Sequence, residues 1–325
     1  MESDKKETAV YESVEQVIDE VEKIIIGKTE QIRLILAAIL AEGHVLLEDM
    51  PGVGKTTLVK TLAQVLGCGF RRIQFTPDLM PSDIIGMNIY NQKTGEFQLM
   101  PGPVMTQILL ADEINRAVPR TQSALLEAME ERQVTIDGQT YPLSQPFVVM
   151  ATQNPIETAG TFILPEAQMD RFLMKISVGY PSLEEERQML ANLGDEMPFS
   201  TVNTVLEPLT IRSLISACQH VHISEHVMAY IVTLVQATRN HPQIRFGASP
   251  RASRALYKAA KAWAAMHQRA YVTPDDVQQL AAPVLAHRIA LKRETTLSGL
   301  NSEGVIRAII ASIPVPTHRE ATLHA

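Results

Sequence analysis

Apolar residues recur at helical spacing near the start of the chain. Val14, Val17, Ile18, Val21 and Ile25 fall three or four apart, which predicts a helix with one buried stripe. Ser13 followed by Gln16 has capping-box spacing and places the helix start there. Gly27 breaks the pattern, and a second helix is expected over residues 29–42, ending at Gly43. From there short apolar runs of β character alternate with helical segments. The runs are Val45–Glu48, 71–75, 107–111, 147–152 and 172–178. Such alternation predicts an α/β fold, with a parallel sheet covered by helices on both faces.

Two stretches interrupt the alternation. Residues 87–99 alternate around Lys93-Thr94-Gly95, and residues 133–143 around Asp137-Gly138, so each predicts a β-hairpin. Tyr90 and Phe97 read first as a cross-strand packing pair, with contact to a polypeptide as the alternative. Beyond Pro181 the pattern becomes helical, over residues 182–193, 211–218, 225–239, 250–267 and 274–288. Thr273-Pro274-Asp275-Asp276 supplies a hydroxyl cap, a proline at the first helical position and acids in the first turn. The expected organisation is a core over residues 1–180, a linker with one helix over 181–210 and a helical domain over 211–325.

Composition narrows the class. At 325 residues, 46% hydrophobic and 20% charged, the chain can bury the cores of about two domains. A formal net charge of -7 argues against broad nucleic-acid binding, which draws on a basic footprint. The charged opening residues contain no secretory signal, and the apolar run at 34–41 is far too short to span a bilayer. Cys68 and Cys218 lie far apart and fit reduced thiols. A cytoplasmic protein without membrane insertion is expected.

The chemistry concentrates after the first apolar run. Pro51, Gly52, Val53, Gly54, Lys55, Thr56 and Thr57 join a strand to a helix, the arrangement that wraps nucleotide phosphates. Small residues let successive N–H groups point at the anion, and the helix N-terminus adds its dipole. Lys55 can reach the terminal phosphates, and the Thr56 hydroxyl can ligate magnesium. Asp49 stands where the usual pattern has its first glycine. A second strand ends in Asp112-Glu113: with such a loop the first acid holds magnesium and the second can take a proton from water. Asn154, after the fourth run, can bond a terminal phosphate or simply initiate an Asn-Pro turn. Arg171 can pair locally with Asp170 or act elsewhere. Arg251, in the first turn of a helix opened by Ser249-Pro250, opposes the helix dipole and should have an anionic partner.

In order along the chain, residues 51–56, Asp112-Glu113 with Ile114-Asn115-Arg116-Ala117, Asn154, residues 165–172 and Ser249-Pro250-Arg251-Ala252 closely resemble the MoxR family of AAA+ ATPases. The resemblance covers about residues 14–288. It implies a P-loop core with a five-stranded parallel sheet, then an all-α lid, assembled in a ring that is most often hexameric. It implies ATP and Mg2+ as cofactors, with Lys55, Thr56 and Asp112 at phosphate and metal, Glu113 at water and Asn154 as polar sensor. Arg171 would be the finger reaching a neighbour's nucleotide, Arg251 the lid sensor, and Ile26 and Gly27 the adenine lining. A protein client or a von Willebrand factor A domain partner is expected, as for a maturation chaperone. The alternatives are a nucleic-acid motor of the same branch and a chelatase-type motor subunit.

Overall fold

In a computed structural model, residues 2–153, 161, 162, 164–191 and 201–316 are described. Helices α1 (Glu2–Glu22) and α2 (Thr29–Leu40) precede β1 (Val45–Glu48), α3 (Lys55–Val65) and β2 (Phe70–Gln74). A short α4 (Pro81–Ile85) leads into the hairpin β3 (Gly86–Asn91) and β4 (Glu96–Pro101). Then come β5 (Ile108–Asp112), α5 (Pro119–Glu131), the hairpin β6 (Gln133–Ile136) and β7 (Gln139–Pro142), and β8 (Val148–Gln153). The core closes with α6 (Glu166–Met169) and β9 (Met174–Ile176), and α7 (Leu183–Ala191) follows. The lid comprises α8 (Pro208–Gln219), α9 (Glu225–Asn240), β10 (Ile244–Phe246), α10 (Pro250–Met266), α11 (Pro274–Leu285), β11 (Ala290–Leu291), α12 (Arg293–Leu297) and α13 (Ser302–Ser312).

The five β-type runs form one sheet in the order β2-β5-β8-β1-β9, with every pairing parallel. Period-two alternation sends successive side chains to opposite faces. Val45, Leu47, Leu110 and Met150 face α1, α2 and α3, in a core continuous with that of the lid. Leu46, Leu109, Ala111 and Val149 face α5 and the second hairpin. Both faces of the central strands are therefore dry, which explains why β1, β5 and β8 read as unbroken apolar runs, while the edge strand β2 keeps Arg71, Arg72 and Gln74 exposed.

The two hairpins stand where the sequence predicts them, and Asn88 Nδ2 of the first donates to Asp137 Oδ2 of the second at 3.0 Å. Tyr90 and Phe97 are directly paired, edge to face at 5.3 Å between centroids. They remain 53% and 73% exposed, so packing does not bury them.

The first helix corrects the reading at Ser13, which lies in the interior of α1 and not at its start. The apolar stripe continues back to Val10, fully buried in the core shared with α8 and α10, and tertiary burial outweighs the local cap signal. The caps at Ser249 and Thr273 follow the sequence, each accepting an N–H bond at its helix start, and Ser224 does the same at α9. A helix that the periodicity reading passes over, α13, is capped by Asn301 and buries Val305, Ile306 and Ile309. No helix among the described residues is long and apolar enough to cross a membrane.

Candidate active site

In a parallel sheet all strands share one direction, so their C-terminal ends meet along one edge of the molecule. The loop after β1 lies on that edge. Gly52 and Gly54 take positive φ of 87° and 84°, a region where side chains are strained. Nothing lies within 4 Å of where a Cβ would stand at either, so the bend leaves open space. Gly54 precedes α3 without any side-chain cap, leaving the helix's first N–H groups free for an anion. A cavity of about 350 Å3 sits here, lined by Gly54, Lys55, Thr56, Asp112, Glu113 and Gln153 among others. Lys55 Nζ donates to the carbonyls of Asp49 (2.8 Å) and Met50 (3.2 Å). Burial pulls its pKa below the ordinary lysine value, against the attraction of Asp49, Asp112 and Glu113.

Asp112 ends β5 and Glu113 follows it. Asp112 accepts from Thr152 Oγ1 at 2.5 Å and from Arg72 Nη2 at 2.6 Å. Glu113 has a left-handed backbone (φ 55°). Its N–H donates to Thr152 Oγ1 at 2.8 Å, so a single hydroxyl of β8 fixes both acids. The Glu113 carboxylate accepts from Gln74 Nε2 at 2.7 Å and pairs with Arg116 Nε at 3.1 Å. Sequence reasoning missed Arg72, Gln74 and Thr152. Gln74 and Thr152 sit at or next to strand ends and Arg72 at the middle of β2, and only the register, with Gln74 opposite Asp112, brings them to the acids. Hard oxygen donors, the Thr56 hydroxyl and the Asp112 carboxylate, face one cavity, a set that suits Mg2+.

Asp49, the departure from the glycine pattern, is 7% exposed and has a structural task. Its carboxylate accepts from Ser177 Oγ (2.6 Å) and from the backbone N–H groups of Val178 (2.6 Å) and Gly179 (3.1 Å). The loop is thereby tied to the exit of β9. Ile26 is half-buried, and Gly27 lies against Glu185 at the start of α7, where Lys28 Nζ donates to the Tyr180 carbonyl at 3.0 Å. Asn154 lies outside the described residues.

The two candidate arginines lie at the other edge of the sheet. Arg171 comes three residues before β9, and the Leu173 N–H bonds the carbonyl of His44, the residue preceding β1. Arg171 is therefore at the N-terminal ends of the strands, away from its own phosphate loop. Arg251 joins it: Arg171 Nη2 and Arg251 Nη2 reach the two oxygens of Glu130 at 3.0 and 2.5 Å. Glu130 is the anionic partner that Arg251's helix position calls for. Around them opens a second cavity of about 430 Å3, to which Arg132, Arg254 and Lys258 also contribute.

Residues 44–174 match the model of the ATPase family associated with various cellular activities (AAA), and residues 236–309 match an AAA lid domain. The chain is 50% identical to the uncharacterized protein YeaC of Bacillus subtilis, over 94% of this chain and 96% of that one. Chaperone MoxR1 of Mycobacterium tuberculosis is 45% identical over 95% of this chain and 84% of its own length. Protein MoxR of Paracoccus denitrificans is 35% identical, with 90% and 93% covered. A crystal structure from Cytophaga hutchinsonii superposes with a TM-score of 0.90 at 41% identity, covering 96% of this chain and 98% of that one.

Proposed function

The chain belongs to the MoxR family of AAA+ ATPases, and from that premise we propose that it hydrolyses ATP at sites shared between adjacent copies in a closed, hexameric ring. One observation carries the reading: the phosphate loop and Arg171 occupy opposite edges of one parallel sheet. A guanidinium there serves a nucleotide only if that nucleotide belongs to a neighbour, and a head-to-tail contact that closes gives a ring.

In this mechanism the loop N–H groups and Lys55 bind the phosphates. Thr56 and Asp112 would hold Mg2+, which when bound would offset developing phosphate charge. Glu113, aimed by Gln74 and Arg116, accepts the proton of the attacking water. Arg171 of the neighbour stabilises charge on the transferred group as the bond breaks. Arg251, sharing Glu130 with Arg171, enters from the same side.

The work done is the remodelling or maturation of protein complexes, with a protein client or a von Willebrand factor A domain partner. The chaperone naming of the Mycobacterium tuberculosis relative supports this, as do the exposed Tyr90, Phe97 and Met100 on the first hairpin. The test measures ATP turnover per molecule across a dilution series, for the wild type and for Arg171→Ala. A rate indifferent to dilution and to that substitution overturns the shared site. Affinity capture with Glu113→Gln under ATP then identifies the partner.

A further inference from the structure

Arg288 closes the tight turn after α11 with its side chain only 3% exposed. A buried guanidinium must place its donors on acceptors, since unpaired charge is costly there. Nε donates to Asp170 Oδ1 at 2.7 Å. Nη2 donates to the carbonyls of Asp170 (3.2 Å) and Phe172 (2.6 Å). Nη1 donates to the Leu173 carbonyl at 3.0 Å and to the Val284 carbonyl in the last turn of α11. His287 beside it adds a bond from Nε2 to the Phe172 carbonyl at 3.0 Å, and the Ser249 hydroxyl donates to the second oxygen of Asp170 at 2.7 Å.

These partners flank Arg171 on both sides in the chain. Phe172 and Leu173 are buried and Asp170 is gripped by the lid, while the Arg171 side chain stays 29% exposed and turns to Glu130. Ser249 also caps the helix that carries Arg251, accepting its N–H at 3.1 Å. The segment that bears the finger thus hangs from the lid by main-chain bonds, and Asp170 joins both arginines to one anchor.

We propose that Arg288 is a positioning residue for Arg171: from the lid it sets where the finger stands, so the lid of one protomer governs hydrolysis at its neighbour's nucleotide. This rests on the reading of Arg171 as a group given to an adjacent site.

The test mixes protomers. Arg288→Met removes the fork, and Arg288→Lys keeps a charge with a single point of attachment. Each is measured for melting, ATP affinity and kcat, then mixed with Lys55→Ala protomers, whose own site is disabled while their Arg171 is intact. Misplacing a catalytic group by about 1 Å costs on the order of a hundredfold in rate. The expected result is a kcat loss of that size with ATP affinity within about twofold of wild type. Activity should return on mixing, because the variant's intact nucleotide site then meets an intact finger. Arg171→Ala mixed with Lys55→Ala is the control, and failure of that pair to recover removes the shared-site reading itself. Recovery there without recovery by the Arg288 variants, or a kcat near wild type in Arg288→Lys, removes the positioning role alone. Where Arg288→Met does not fold, Arg288→Lys carries the test.

Discussion

The two edges of the central sheet are opposites in charge and in origin. At the C-terminal edge, Lys55 faces the carboxylates of Asp112 and Glu113 in one cavity. At the N-terminal edge, six lysines and arginines stand among three carboxylates, Glu42, Glu130 and Asp170. The first edge is made of contiguous stretches that a parallel sheet delivers to one line. The second is assembled from the turn between α2 and β1, the end of α5, the segment before β9, and two lid elements, and is complete only once the lid has docked. On the proposed reading, a triphosphate held at the first edge presents negative charge to the cationic second edge of an adjacent copy, the complementarity that a head-to-tail contact uses.

The comparison can be broken most directly at Arg171. Arg171→Ala should keep ATP binding and lose about a thousandfold in turnover, the scale of a finger supplied in trans. A loss below about tenfold would show that the cationic edge does not serve catalysis. At the acidic edge, Glu113→Gln should cost on the order of 10²–10³ in kcat while nucleotide stays bound. Filter binding with radiolabelled ATP separates this from Lys55→Ala, where binding itself should weaken.

Acidification should weaken the foundation of the cationic edge. His44 is fully buried, donates through Nε2 to the Met129 carbonyl, and accepts the Val149 N–H at Nδ1. Burial lowers its pKa from 6.5 to about 4. The unfolded chain therefore binds a proton that the folded one refuses between those values. Stability is present in full above pH 6.5 and is lost as pH falls toward 4, by about 3 kcal/mol for a full shift. Burial pushes His287 the same way. Urea unfolding of the wild type and of His44→Gln at pH 7 and pH 5 measures this, and equal pH dependence in the two would discount His44. The smallest effect is expected at Glu130. Glu130→Gln frees Arg171 and Arg251 from a competing, half-exposed carboxylate and should lower the protein concentration for half-maximal ATPase by a few-fold. A higher concentration requirement would mean that Glu130 aligns the pair rather than competes for it.

What the sequence makes legible follows the same division. The phosphate loop, the acid pair and both hairpins are local signals, carried by residues adjacent in the chain. The runs at β1, β5 and β8 give the centre of the sheet because strands buried on both faces need no partner to look apolar. The helper residues Arg72, Gln74 and Thr152 depend on strand order, which periodicity does not encode. Glu130 and Arg288 depend on how the lid packs, and nothing in their neighbourhoods distinguishes them from surface charges. Ser13 shows the reverse failure: a genuine local signal overruled by the burial of Val10 and Val14.

The tie made by Asp49 has a practical consequence for anyone cutting or grafting this chain. The bend around residues 180–182, with Tyr180 68% exposed, has the look of a tolerant insertion point. Yet the amides just upstream, at Val178 and Gly179, are what keep the mouth of the nucleotide loop in shape. A tag or permuted terminus placed there is expected to loosen ATP binding from a distance while leaving the loop's own residues untouched.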